Sequence, residues 1–106
     1  MNRMDALIAQ RRVSRQAAAL AAAHAVIRAA EEADIAVALV GSLARGDFAP
    51  HSDVDLLVRG PLDSGRRRVV ERLAAEAMRA PGLDYDLIFE DDLSPERVRE
   101  FLHDAL

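Results

Sequence analysis

Asp53 and Asp55 stand one residue apart in "SDVDLLV", separated by ten intervening residues from the pair Gly41-Ser42. On a strand, alternate side chains share a face, so both carboxylates point one way while Val54 and Leu56 point the other. Like charges so placed disfavour each other's ionisation, and burial adds to the penalty. A divalent cation between them reverses the balance, because Mg²⁺ takes hard oxygen ligands, commonly one or two carboxylates together with substrate phosphates. "LDYDLIF" repeats the spacing with Asp84 and Asp86. If its strand lies beside the first, three or four carboxylates converge. Paired metal ions in such a cluster can hold both the attacking and the departing oxygen of an in-line displacement at phosphorus. Spacing alone is weak: eleven aspartates among 106 residues yield roughly one such pair by chance. What strengthens it is Gly41-Ser42, which follows an apolar run and can open a helix, where free backbone N–H groups suit a triphosphate tail.

These residues need elements to position them. Ser14 to Ala33 reads as a helix with Ser14 as cap and a short helical turn before it. Its apolar stripe would be Val13, Ala17, Leu20, His24 and Ile27. "IAVALV", from Ile35 to Val40, is a short β-branched run that stops at glycine, and so a buried strand. "GSLARGDFAPHS" is a loop with room for one helical turn, and "DVDLLV" is the second strand. Arg66 to Ala80 is a helix with the stripe Val69, Val70, Leu73, Ala77 and Met78, stopped by Pro81-Gly82. "LDYDLIF" is the third strand, and Ser94-Pro95 opens a last helix. The order predicts an α/β (α+β) fold, a small mixed sheet packed with helices, its second and third strands joined by a helical crossover.

Composition narrows the function classes. With 51% hydrophobic and 30% charged residues, the chain reads as one domain over residues 1–106, with an N-terminal helical segment (1–33) and a core (35–106). No stretch has the length and apolarity of a bilayer span or signal peptide, so a cytoplasmic setting is expected. There is no cysteine, which leaves oxygen or imidazole ligands for any metal. Fourteen cations, all arginine, against eighteen carboxylates leave a net charge of −4, which does not favour direct nucleic acid binding.

Gly41-Ser42, ten intervening residues and Asp53-Val54-Asp55 resemble the signature of the minimal nucleotidyltransferases, small members of the DNA polymerase beta superfamily. "ARG" after the Gly-Ser, serine before the aspartates, "DLLV" after them and the later "DLIFEDDLSPE" are similar to that group too. The likeness runs from about Ile35 to the end. It implies a nucleotidyltransferase fold in which Asp53, Asp55 and Asp86 are catalytic and bind two Mg²⁺ ions, Asp86 also helping to deprotonate an acceptor hydroxyl. Gly41 and Ser42 would contact the phosphates of ATP or another nucleoside triphosphate. Arg45 either neutralises phosphate charge or supports the loop through a salt bridge. Asp84 is the alternative third carboxylate. The chain ends one helix after the third strand, so the acceptor is expected on another polypeptide, and the resemblance implies an antitoxin that adds AMP to a tyrosine of a HEPN-domain toxin.

Two other readings compete: a binding module that neutralises its partner by contact alone, and a transferase acting on a small molecule such as an antibiotic with a separate subunit. Other features take plainer readings. Arg66-Arg67-Arg68 reads as a solvated helix face, His51 as an ordinary loop residue, and Tyr85 and Phe89 as core. The stripe on the first helix is expected to pack on its own sheet, with a sister subunit (an oligomer through that helix) or a partner helix as the alternative.

Overall fold

The structure, a computed structural model, describes residues 2–105. Its first element, α1, runs unbroken through Arg3–Glu32. Asn2 caps it, the side-chain oxygen accepting from the Asp5 N–H at 2.8 Å. That cap lies far upstream of Ser14, so the expected start of the helix is corrected. Residues 3 to 13 contain neither glycine nor proline, and nothing interrupts the backbone ladder. The buried residues of α1 are Ala19, Ala22, Ala23, Val26 and Ala30. Val13, Ala17 and His24 of the expected stripe are exposed, while Leu20 and Ile27 are partly buried at its flanks. In a helix this rich in alanine, apolar spacing marks several faces equally; the alanines let α1 lie close to α3 (Ser64–Arg79) and β1 (Val37–Val40).

The sheet has three strands in the order β1-β2-β3, where β2 is Val54–Val58 and β3 is Tyr85–Phe89. β1 and β2 are antiparallel, with Val40 opposite Asp55. β2 and β3 are parallel, as a crossover through α3 requires, with Asp55 opposite Asp86. The mixed α+β architecture therefore matches the sequence reading. Each strand is shorter than expected, and "GSLARGDFAPHS" contains a real helix, α2 (Gly41–Arg45). The last helix, α4 (Pro95–His103), begins as expected, Ser94 Oγ accepting from the Arg97 N–H at 3.2 Å with proline in the first turn.

Alternation divides the sheet. Val37, Leu39, Val54, Leu56, Val58, Tyr85, Leu87 and Phe89 face α1 and α3 in the larger core. Val40, Leu57 and Ile88 face α4, meeting Val98, Phe101 and Leu102. Asp55 and Asp86 alternate onto this second face, above the part that α4 covers.

Charged residues at the ends of these elements act as ties. Arg66 Nη2 donates to the carbonyls of Ala33 and Asp34 at 3.1 and 2.8 Å, holding the C-terminal end of α1. Arg67 pairs with Asp92 through two 3.0 Å bonds and lies 4.4 Å over the Phe89 ring. The arginine triplet is thus more than a solvated face, Arg68 alone being exposed. Glu90 joins the ends of β2 and β3 by accepting from the Arg59 guanidinium and the Gly60 N–H, and those bonds hold its carboxyl below the usual range.

Leu56 is fully buried on the central strand. Leu56→Ala should destabilise the protein by about 2–5 kcal/mol, whereas Val13→Ala, at a position 68% exposed, should change stability by less than about 0.5 kcal/mol; urea denaturation followed by circular dichroism checks both.

Candidate active site

Three short pieces of chain meet at the polar end of the second sheet face. The first is the β1–α2 junction. Gly41 has φ +76°, a left-handed conformation that glycine adopts without strain. A Cβ there would overlap Asp55 Oδ2 and lie 3.1 Å from Asp55 Cβ and Cγ. Glycine is therefore required twice over, by its backbone angle and by the carboxylate against it. Leu43, 1% exposed, anchors α2 in the core. The helix ends at Gly46, also left-handed at φ +88°. No side chain caps its N-terminus, so the first N–H groups of α2 are left to other acceptors.

The second piece carries Asp53 and Asp55. A turn precedes it, in which the Ser52 N–H donates to the Ala49 carbonyl and Ser52 Oγ accepts from the Ala49 N–H, both at 3.0 Å. Asp53 follows, exposed, just before β2; Asp55 is half-buried within it. The third piece is β3, with Asp86 exposed and in register with Asp55. Neighbouring strands lie about 4.8 Å apart, so these two carboxylates are adjacent by construction. Asp84 falls before β3; it is exposed, and its carbonyl accepts the Val54 N–H at 2.9 Å, extending the ladder by one bond.

Electrostatics report this crowding at Asp55. Burial raises its carboxyl pKa first, then the negative charges of Asp86 and Asp53, while Arg45 pulls the other way. Asp53 and Asp86 thus both bear on Asp55. Among the described residues, no three acidic or imidazole groups close into a ready-made cation cage. The donor set is nonetheless of the hard, all-oxygen kind that suits Mg²⁺, and the chain contains no thiol.

Arg45 is 45% exposed and divides its guanidinium between two carboxylates, Nε lying 3.5 Å from Asp47 Oδ2 and Nη1 3.4 Å from Asp104 Oδ2. Both contacts are long and partly solvated, and so weak. Asp104, the C-cap of α4, is a residue that sequence reading missed. It lies 59 positions from Arg45, and no local spacing signals a contact over that distance. His51 is an exposed turn residue and His24 an exposed helix residue. Among the described residues no helix is long and apolar enough to cross a membrane.

The comparisons agree with this geometry. A model of the nucleotidyltransferase domain matches residues 25–106, a span that contains both aspartate pairs and the Gly41-Ser42 turn. A solved structure provisionally described as a minimal nucleotidyltransferase superposes with a TM-score of 0.64 at 30% identity, covering 81% of this chain and 88% of its own. No curated protein sequence matches the chain significantly. With a strand pair that sets carboxylates side by side behind a glycine turn, and with a family match over most of its length, the chain belongs to the nucleotidyltransferase-domain family of transferases.

Proposed function

We propose that the chain is a Mg²⁺-dependent nucleotidyltransferase that moves a nucleoside monophosphate, AMP from ATP, onto a hydroxyl of a partner protein. The further reading, supported by the resemblance to minimal nucleotidyltransferases, is an antitoxin whose acceptor is a tyrosine of a HEPN-domain toxin. One observation carries the catalytic part: Asp55 and Asp86 are opposite each other in the parallel ladder, Asp53 lies two residues before Asp55, and Gly41 packs on Asp55. A structural role accounts poorly for this, since burial first, and then the charges of Asp86 and Asp53, raise the Asp55 pKa, which costs stability at neutral pH.

In this reading Asp53, Asp55 and Asp86 would hold the cations. What bound Mg²⁺ supplies is neutralisation of the triphosphate oxygens, which exposes the α-phosphorus and stabilises the departing charge. The chain does the rest. Backbone N–H groups at Gly41 and Ser42, at the uncapped start of α2, receive phosphate oxygens. Arg45 adds a positive charge beside them. A carboxylate oxygen of Asp86 takes the proton of the acceptor hydroxyl; the new oxygen–phosphorus bond forms as the bond to pyrophosphate breaks. Asp53 and Asp86 are exposed on an open sheet face, which a protein surface can approach, and this supports a protein acceptor over an enclosed small molecule.

Asp53→Asn, Asp55→Asn and Asp86→Asn should each lower transfer of labelled AMP at least about a hundredfold, measured with labelled ATP, Mg²⁺ and a co-expressed helical partner. Retained activity in the Asp53→Asn/Asp55→Asn double variant would refute the mechanism, and absence of label on any acceptor in the parent protein would favour neutralisation by contact alone.

Stability should move the opposite way at one of these positions. The folded Asp55 carboxyl has a pKa above its unfolded value, so the folded state is penalised as pH rises through the carboxylate range. Asp55→Asn should therefore raise the melting temperature at pH 7, with the gain vanishing below the unfolded carboxylate pKa; Mg²⁺ should raise the melting temperature of the parent and not of the variant. Differential scanning calorimetry across pH reads both effects.

A further inference from the structure

The buried face of α1 does not stop where the domain stops. Steps of three and four lead from Ala30 through Val26, Ala22 and Ala19 to Arg15, Arg12, Ile8 and Met4. They trace one side of the helix along its whole length. In the second half of α1 this side is core; in the first half, residues 3 to 14 are all exposed, with Met4 at 64% and Ile8 at 49%. Leu7, 43% exposed, borders the stripe. The helix therefore overhangs the body and turns an uncovered amphipathic side towards it.

Under the overhang lies a groove. Two clefts of about 340 and 260 Å³ share Arg12 and Pro50, one continuing to Gln16 and Phe48, the other to Ile8, Arg11 and Arg15. Among the described residues, no carboxylate forms an ion pair with Arg11, Arg12 or Arg15. The Nε of Arg15 is buried without a hydrogen-bond partner. The one acid lining the groove, Asp47, is paired to Arg45. Residues 2–16 carry four arginines against Asp5, a net of +3, which leaves the rest of the chain at −7.

Charge and side-chain chemistry select the occupant. Two overhangs of the same sign repel, which disfavours arm-to-arm pairing of two copies. The groove offers no exposed aromatic for base stacking, Phe48 being buried, which disfavours a single-stranded nucleic acid. Apolar Met4, Leu7, Ile8 and Pro50 interleaved with three arginines fit a protein surface with an apolar ridge flanked by carboxylates. We propose that the groove between the α1 overhang and residues 46–50 is a docking site for an acidic amphipathic helix of a partner protein. The site is separate from the carboxylates, so the proposal does not depend on catalysis. The same loop runs on to Asp53, so a partner seated there lies next to the aspartate face.

The test uses the full chain and a labelled synthetic helix with leucines along one stripe and glutamates flanking it, against the same helix with lysines, a single-stranded RNA oligonucleotide and phosphatidylserine vesicles. Fluorescence anisotropy should show the glutamate helix binding at least about tenfold more tightly than the lysine helix. Arg11→Glu/Arg12→Glu/Arg15→Glu should invert that preference, a gain that misfolding cannot mimic, and Met4→Gln/Ile8→Gln should weaken both. Equal binding of the two helices, preferential binding of RNA or vesicles, or a concentration-dependent dimer broken by Ile8→Gln would overturn the proposal.

Discussion

The parallel register of β2 and β3 is the constraint on which the site depends. It places Asp55 directly opposite Asp86, and strand spacing then sets the two residues side by side on one face. An ordinary sheet would relieve the repulsion between their carboxylates by slipping one residue, but a slip would turn Leu56 and Leu87 out of the core and the aspartates into it. Leu39, Leu56, Val54 and Val58 are fully buried and pin the register. Apolar packing on one face thus enforces an electrostatic conflict on the other. Glu90, tied to Arg59 and Gly60 at the far end of the same strands, fastens the pair where there is no conflict.

The second sheet face is divided rather than uniformly covered. α4 lays Val98, Phe101 and Leu102 over Leu57, Val40 and Ile88, and the aspartates occupy the remaining end. A longer or shifted α4 would bury them. Its C-cap Asp104 instead reaches Arg45, so the element that closes the small core also touches the cation nearest the carboxylates. The contact is long and half-exposed, so it adds little to stability.

How much of this was legible in the sequence follows from the physics of each signal. The strands were legible because β-branched runs ended at glycine or at polar turns, and the opening of α4 because Ser94-Pro95 is a local cap. The aspartate face follows from period-two alternation on β2 and β3 as neighbouring strands. The buried side of α1 was not legible: alanine occupies so many positions that no stripe stands out, and the choice is made by what α3 and β1 can approach. The start of α1 was misplaced because Ser14 looks like a cap, whereas Asn2 performs that role. Arg66, Arg67 and Asp104 act through partners 25 to 59 residues away, and no short-range pattern encodes such pairs.

The two halves of α1 express one helical period in different surroundings. From Ala19 to Ala30 the period is written in small residues, and the helix pays for its long unsupported extension with close packing against α3 and β1. From Met4 to Arg15 the same period is written in large apolar and cationic residues that only the loop over residues 46–50 approaches, across an open groove. A helix end that served only to cap the fold would carry polar residues all round, because exposed methionine and isoleucine add nothing to solubility. Cations on an apolar stripe do keep it in water: arginine stems lie along apolar surface while their charged ends stay hydrated. Arg11, Arg12 and Arg15 thus make the overhang tolerable in the free chain, and the same three charges decide the sign of the surface that can cover it.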